Sequence, residues 1–194
     1  MTIHDLTMAG HSKWANIKHK KAVNDSRKAV VFSKLARLIT LAVTSGGGNP
    51  DPASNIKLRI AVERARAENM PKLNIDRAIE KAAGPDGASL KEIVYEAFGP
   101  GGVGMLIVAT TDNPNRTNSV VRMVLDKHGA KMAGVNSVAY MFAKSFDELE
   151  SNYKPHQYVD VDAPTSDRIE TILEVLEGLD DVDTAYSNYR TRLS

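Results

Sequence analysis

The chain has 194 residues, 42% hydrophobic and 25% charged, which is typical of a globular protein with one large or two small domains. It has no cysteine, which excludes disulfide frameworks, thiolate metal clusters and thiol nucleophiles and favours a reducing, cytoplasmic compartment. No apolar run reaches the roughly 18 to 20 residues of a membrane span, and the start lacks a signal-peptide pattern.

The formal net charge of +1 conceals two oppositely charged halves. Residues 1–84 carry 15 Lys+Arg and 7 Asp+Glu, a net of +8, whereas residues 85–194 carry 10 and 17, a net of −7. A basic region concentrates phosphate around itself before any contact forms. The asymmetry therefore predicts a nucleic-acid or other acidic partner at one end of the protein.

The basic half is predicted to be a small helical bundle. Apolar residues recur every three or four positions over 29–44, and the glycines at 46–48 end this helix. Two further helices are predicted over 54–69 and 72–83. Their inward-facing residues are expected to be Ile56, Ile60, Val62, Ala65, Ile75 and Ile79.

A domain boundary is predicted at the turn-forming cluster Gly84-Pro85-Asp86-Gly87. It separates a basic helical domain, 1–84, from an acidic domain, 85–194. The acidic domain is expected to have the α+β class, because its apolar spacing shortens from the helical period toward the strand period of two.

The predicted order of elements in the acidic half is β-β-α-β followed by β-α-β, which indicates a ferredoxin-like α/β sandwich. Strands are predicted at 92–98, 103–110, 137–142, 157–161 and 182–189, and helices at 115–128 and 166–178. The first two strands form a hairpin. Residues 143–156 are expected to be a surface crossover, and one of the last two strands is expected to pair with an earlier one.

The strongest functional signal is a basic segment near the N-terminus. Between Gly10 and Thr40 the only acid, Asp25, stands against eight cations: Lys13, Lys18, Lys20, Lys21, Arg27, Lys28, Lys34 and Arg37. Cations give affinity for phosphates, and nearby polar groups give register. The neighbouring candidates for nucleic-acid contact are His11, Ser12, Trp14, Asn16 and His19. The alternative interpretation is a solvated helix face.

A second candidate lies in the acidic half. The polar loop from Thr111 to Thr117 leads from a predicted strand into a helix and contains Arg116, which could contact RNA. Asp112 or Asn113 could instead simply initiate the helix. The sequence does not favour either interpretation over the other.

Other motifs give no evidence of an enzyme. The five histidines, at 4, 11, 19, 128 and 156, lack the spacing of metal ligands. The glycine-rich stretch 99–104 lacks the Lys-Ser/Thr of a phosphate loop and is predicted to be a turn. Asp180 and Asp181 have no nucleophile nearby and are assigned to a turn. We therefore predict no catalytic residue, metal, cofactor or small-molecule substrate.

Motifs along nearly the whole chain resemble those of the YebC family. They are the segment AGHSKWANIKHKK at 9–21, the glycines at 46–48, NMP at 69–71, NIDRAI at 74–79, YEAFGPGG at 95–102, TDNPNRT at 111–117, KHG at 127–129, SVAY at 137–140, LDDV at 179–182 and YSN at 186–188. The resemblance implies an N-terminal helical domain followed by α+β domains. Family members are described as probable transcriptional regulatory proteins, and a mitochondrial relative activates translation of a cytochrome oxidase subunit.

The chain departs from the family pattern in two places. Family sequences usually begin at the position of Met8, so the first seven residues are an extension or a misassigned start. Relatives usually carry an additional α/β domain where this chain has only 143–156. We expect that domain to be absent here.

The resemblance and the basic segment predict a non-enzymatic, ribosome-associated translation factor of YebC type, which helps translation through difficult, especially proline-rich, stretches. The alternative is a DNA-binding transcriptional regulator that uses the same segment. Because the sequence shows no recognisable helix-turn-helix spacing, it favours the ribosome.

Two roles are open for Trp14, the single tryptophan of the chain. If its ring stacks on a base, Trp14→Phe should retain nucleic-acid binding and Trp14→Ala should lose it, with little change in melting temperature. If it anchors the N-terminal segment by packing, Trp14→Ala should cost about 3 to 5 kcal/mol of stability. Thermal melts and binding curves of both variants separate the two roles.

Overall fold

The computed structural model describes residues 10–84, 90–146 and 151–192, except for the side chains of 10–27, 146 and 151. Three helices come first: α1 at Gly10–Ser45, α2 at Ile56–Ala67 and α3 at Lys72–Ala83. The third helix was predicted with these bounds. The first is 36 residues long and begins well before the predicted residue 29, because the basic segment continues the helix toward the N-terminus.

The end of α1 and the start of α2 are fastened by one buried side chain, Asn55. Its Nδ2 donates to the Ala42 carbonyl at 3.0 Å, and its Oδ1 accepts the Leu58 N–H at 3.1 Å. The first bond satisfies a carbonyl at the end of α1 and the second caps α2. Between the helices Gly47 and Gly48 adopt φ of 74° and 81°, which glycine adopts without strain.

The three helices share one hydrophobic cluster. Its fully buried members include Ile39 and Val43 of α1 and Leu58, Ala61 and Ala65 of α2. The prediction that Ile56 points inward was wrong, since this side chain is 63% exposed. Ile56 is the first residue of α2, and Leu58, four positions before Val62, is the residue that continues its buried face.

The remaining elements form an α+β arrangement, as predicted. The strands are β1 at Lys91–Phe98, β2 at Gly104–Thr111, β3 at Lys131–Met132, β4 at Phe142–Phe146, β5 at Ser151–Pro155, β6 at Val159–Val161, β7 at Val182–Ser187 and β8 at Tyr189–Thr191; the helices are α4 at Pro114–Lys127 and α5 at Ala163–Glu177. The main sheet is antiparallel with the order β3-β1-β2-β7.

The sheet follows the alternation that the sequence predicts. The β1–β2 hairpin is confirmed, with Lys91 opposite Thr111 and Phe98 opposite Gly104. A connection through α4 places β2 and β3 on either side of β1, which is a split β-α-β unit. Val121 and Leu125 of α4 and Ile169 and Leu176 of α5 pack against one face of the sheet, in a cluster that includes Ile107 of β2.

The predicted pairing between the late and early strands is confirmed. Strand β7 pairs with β2 from Met105 opposite Ser187 to Ala109 opposite Val182, and the register shifts between Val108 and Ala109. Strand β6 lies outside the main sheet and pairs in parallel with β8.

The prediction of a strand at 137–142 was wrong for a specific electrostatic reason. The buried Glu96 carboxylate accepts backbone N–H groups from Asn136, Val138 and Ala139 at 2.6, 2.6 and 2.9 Å. These donors are therefore unavailable to a strand ladder, and a 3₁₀ turn at Ala139–Met141 precedes β4. The short β3 supplies the strand that pairs with β1 instead.

Residues in the predicted crossover, 143–156, contribute to an antiparallel hairpin of β4 and β5, in which Phe142 lies opposite Pro155. Buried Phe142 packs with Leu106 and Val138. Since Leu106 and its neighbour Ile107 point to opposite faces of β2, this cluster covers the face that α4 and α5 leave open.

Truncation after Phe142 should give an insoluble or molten product. The deletion removes α5 and β7, which leaves the β2 edge unpaired and uncovers the cluster around Ile107 and Leu125. Retained far-UV with lost near-UV circular dichroism, together with dye binding, would report this state. A soluble fragment that melts cooperatively would contradict the prediction.

Candidate nucleic-acid interface

Most of the predicted nucleic-acid contacts fall in the first half of α1. The backbone there is helical, but the side chains lie outside the described part of the structure; they are His11, Ser12, Lys13, Trp14, Asn16, Lys18, His19, Lys20, Lys21 and Arg27. Lys28 is the first of the predicted cations with a described side chain, and it is exposed.

The length of α1 separates the basic segment from the helical core. At about 1.5 Å per residue its 36 residues span about 54 Å, three times the length of the 12-residue helices α2 and α3. The buried residues of α1, among those described, run only from Leu35 to Val43. Neither α2 nor α3 is long enough to cover the whole of α1.

Positions 13, 20, 27 and 34 are cationic and seven residues apart. Seven residues are close to two helical turns, so these positions share one face of α1. Lys34, at the end of this row, is half-buried against the sheet. The face of α1 that carries the basic row therefore continues directly into the contact with the rest of the protein.

Lys34 has partners other than phosphate. Its Nζ donates to the Glu177 carbonyl at 2.7 Å and to the Asp183 carbonyl at 3.2 Å. Glu177 is the last residue of α5, and a cation at a helix C-terminus is stabilised by the helix dipole and by free carbonyls. Asp183 belongs to β7. One ammonium thus joins α1 to both α5 and β7.

Arg37, one helical turn further on, also faces β7. Its Nη2 lies 3.9 Å from Asp183 Oδ1, and its side chain is only 14% exposed. The Arg37 Nε and Nη2 atoms are buried without a hydrogen-bond partner, although Nη2 keeps the long ion pair. The second carboxylate oxygen of Asp183 accepts the Thr110 hydroxyl at 2.7 Å. Beside these contacts, α1, α2 and β7 enclose a cleft of about 220 Å³.

Arg116 lies between two carboxylates. Its Nη2 donates to Asp112 Oδ1 at 2.8 Å and to Asp181 Oδ2 at 3.0 Å. The hydrogen bonds that Arg116 donates to Asp181 and Asp112 raise its pKa. Asn113 caps α4, because its side-chain oxygen accepts the Arg116 N–H. The guanidinium of Arg116 is half-exposed, and Asp112 and Asp181 compensate its charge.

Asp181 is the centre of a polar network that sequence reasoning assigned only to a turn. Its Oδ2 accepts the hydroxyls of Thr117 at 2.7 Å and Thr111 at 3.3 Å, in addition to Arg116. Burial raises the pKa of Asp181, but the bonds from Thr117 and Arg116 and the charge of Arg37 outweigh it and hold the pKa below its ordinary value. Asp181 therefore stays ionised at neutral pH.

Sequence reasoning missed Asp183 and the carbonyl of Glu177 as partners of the basic helix. The signal available was the run of acids at 180, 181 and 183, directly before and within a predicted strand. Among the residues described, no three His, Asp or Glu come together as metal ligands, and no helix is long and apolar enough to cross a membrane.

Comparisons with known proteins match most of the chain. A family model described as the TACO1/YebC protein N-terminal domain covers residues 12–85, and one described as the TACO1/YebC second and third domain covers 90–145. A crystal structure of a conserved hypothetical protein from Aquifex aeolicus has a TM-score of 0.76 and 28% identity, over 88% of this chain and 93% of that chain.

Curated relatives are named probable transcriptional regulatory proteins. The one from Lacticaseibacillus casei is 41% identical over 187 residues, which is 93% of this chain and 73% of the relative. The one from Dictyoglomus turgidum is 35% identical over 240 residues, 94% of this chain and 96% of the relative. Because 240 aligned positions exceed the 194 residues present here, that relative holds segments without a counterpart in this chain.

The Asp181 network predicts a pH-dependent contribution to stability. Since its pKa is lowered on folding, the contribution is present above the ordinary aspartate value near 3.9 and is lost as the pH falls below it. Asp181→Asn should cost about 1 to 2 kcal/mol at neutral pH, with the difference from the parent shrinking below about pH 4. Urea unfolding across this range is the measurement.

The matched control is Asp180→Asn, which removes the same charge at the exposed neighbouring position. It should change stability by no more than about 0.5 kcal/mol. Equal effects of the two substitutions would show that the network contributes nothing specific.

Proposed function

Because the chain belongs to the TACO1/YebC family, we propose that it is a non-enzymatic cytoplasmic factor that binds RNA through the basic half of α1 and acts on the ribosome during translation. The observation that carries this proposal is the row of cationic positions on a helix three times longer than its packing partners. The expected role is assistance through difficult, especially proline-rich, stretches.

The charge distribution supports a polyanionic partner. Between residues 10 and 28 the helix carries one acid and six cations, at 13, 18, 20, 21, 27 and 28, and all six precede the contact with β7. Such a helix is rich in charges for phosphates and poor in groups for base recognition. Such a surface gives affinity with little sequence preference. This property suits an RNA scaffold better than a promoter.

Lys34, Arg37 and Arg116 play a smaller part in the proposed interface than the sequence predicts. Each of these side chains already has carboxylate or carbonyl partners within the protein. Removing a cation from such partners would leave acids unpaired, which offsets the gain from a phosphate contact. We therefore assign the direct phosphate contacts to the earlier positions of α1.

A DNA-binding regulator is the second candidate, supported by the names of the curated relatives. One structural feature also favours it, since α2 and α3 are joined by only four residues, as in helix-turn-helix motifs. The exposed residues of α3, however, alternate in charge, with Asp76 and Glu80 beside Arg77 and Lys81. A recognition helix of this kind would repel phosphates as well as attract them.

Replacing Lys13, Lys18, Lys20 and Lys21 by Glu should abolish cosedimentation with ribosomes without unfolding the protein. Binding by the parent should weaken steeply with salt, with a slope of roughly 0.7 to 0.9 per neutralised phosphate on a logarithmic plot. Thermal melts verify folding, and ribosome profiling with and without the protein then locates the affected stretches.

The control variant replaces Arg122, Lys127, Lys131 and Lys154, four exposed cations of the sheet region, and changes the net charge equally. It should still cosediment. Unchanged binding by the α1 variant would refute the proposal. A loss of duplex DNA binding on replacing Arg77 and Lys81 in α3, with ribosome binding absent throughout, would support the DNA-binding alternative.

A further inference from the structure

We propose that Asp183 is a positioning residue that, through Lys34 and Arg37, sets the direction in which the basic half of α1 leaves the protein. The inference deepens the proposed function, on which its binding prediction rests. Asp183 itself is not assigned to the nucleic-acid surface.

The contact is built from both the backbone and the side chain of Asp183. Its carbonyl accepts Lys34 Nζ, and its carboxylate faces Arg37 and is held by the Thr110 hydroxyl. Thr110 is 1% exposed, so the carboxylate is anchored to the buried strand β2. Asp183 therefore contacts both cations of α1 and is itself tied to β2, while Lys34 also bonds to the Glu177 carbonyl of α5.

The edge of β7 explains why this site is suited to hold a helix. The Ala185 N–H donates to Glu177 Oε1 at 3.0 Å, and the Asp183 carbonyl accepts from Lys34. Asp183 lies where the register of the β2–β7 pair shifts, between Val108 opposite Thr184 and Ala109 opposite Val182, and a β-bulge at such a site takes a residue out of the regular ladder. Side chains from α5 and α1 thus occupy an edge that would otherwise be open to another strand.

Because the contact lies far from the basic end of α1, a small change of angle there produces a large displacement at that end. Lys34 and Lys13 are 21 residues apart, which corresponds to about 32 Å along a helix. A tilt of about 10° at Lys34 would displace position 13 by about 5 to 6 Å, more than the about 4 Å within which an ion pair forms. A small loosening at Asp183 is therefore sufficient to misalign the basic row with a fixed array of phosphates.

The proposal predicts a change whose sign is opposite to that of simple electrostatics. Asp183→Asn removes a negative charge, and general attraction for phosphate alone would strengthen RNA binding. Misdirection of α1 should instead weaken ribosome binding by about three- to tenfold. Asp183→Glu, which keeps the charge, should restore most of the affinity.

Two matched controls isolate the contact. Asp126→Asn removes an equal charge from an exposed position of α4 and should leave binding unchanged or slightly tighter. Lys34→Met and Lys28→Met remove equal charges from α1, but only Lys34 contacts α5 and β7 in the described structure. Lys34→Met should therefore alter the orientation of the helix, and Lys28→Met should not.

Orientation is measured directly with spin labels at Ala29→Cys in α1 and Met123→Cys in α4, both exposed positions of a chain without cysteine. The parent should give a narrow distance distribution, and Asp183→Asn and Lys34→Met should broaden or shift it. Identical distributions in all variants, or RNA binding that tightens in Asp183→Asn, would overturn the proposal.

The distance measurement needs no nucleic acid, so it separates this proposal from the proposed function. If the parent binds no RNA but the distribution broadens in Asp183→Asn, the positioning role stands and the assigned partner is wrong. If the parent binds RNA and the distribution never changes, the partner stands and the positioning role is wrong.

Discussion

Strand β2 is buried along all eight of its residues, Gly104–Thr111, so both of its faces need cover and both of its edges need partners. One edge pairs with β1 and the other with β7, which comes from the far end of the chain. Helices α4 and α5 cover one face. The β4–β5 hairpin and the loop held by Glu96 cover the other face, around Leu106.

This constraint explains how an acidic sheet and a basic helix come to share one contact. Thr110 lies near the end of β2 and fixes the carboxylate of Asp183, while Thr111 takes part in the neighbouring network of Asp181. Asp183 is thereby held beside α1, where its carboxylate faces Arg37 and its carbonyl accepts from Lys34. Opposite net charges of the two halves, which suggest separate partners when read from the sequence, also serve the attachment of one half to the other.

The polar groups at this junction divide the cations of α1 by role. Lys34 donates to carbonyls of the protein itself, and Arg37 faces one of its carboxylates. The cations at 13, 18, 20, 21, 27 and 28 lie on the N-terminal side of this contact. A buried arginine with two unpartnered nitrogens is costly, because hydrogen bonds to water are lost without full replacement.

The sequence by itself determined the elements whose information is local. Helix α3, the β1–β2 hairpin and α4 follow from apolar spacing and from turn residues within the same segment, and the basic segment is visible as a count of charges. Only the tertiary structure decided what depends on distant residues. The carboxylate of Glu96 turned a predicted strand into a loop, Asp183 became the partner of Arg37, and Arg116 was joined to Asp181, 65 positions away. Spacing along a chain reports which face a residue occupies, but it does not report which charge from another element will lie opposite that face.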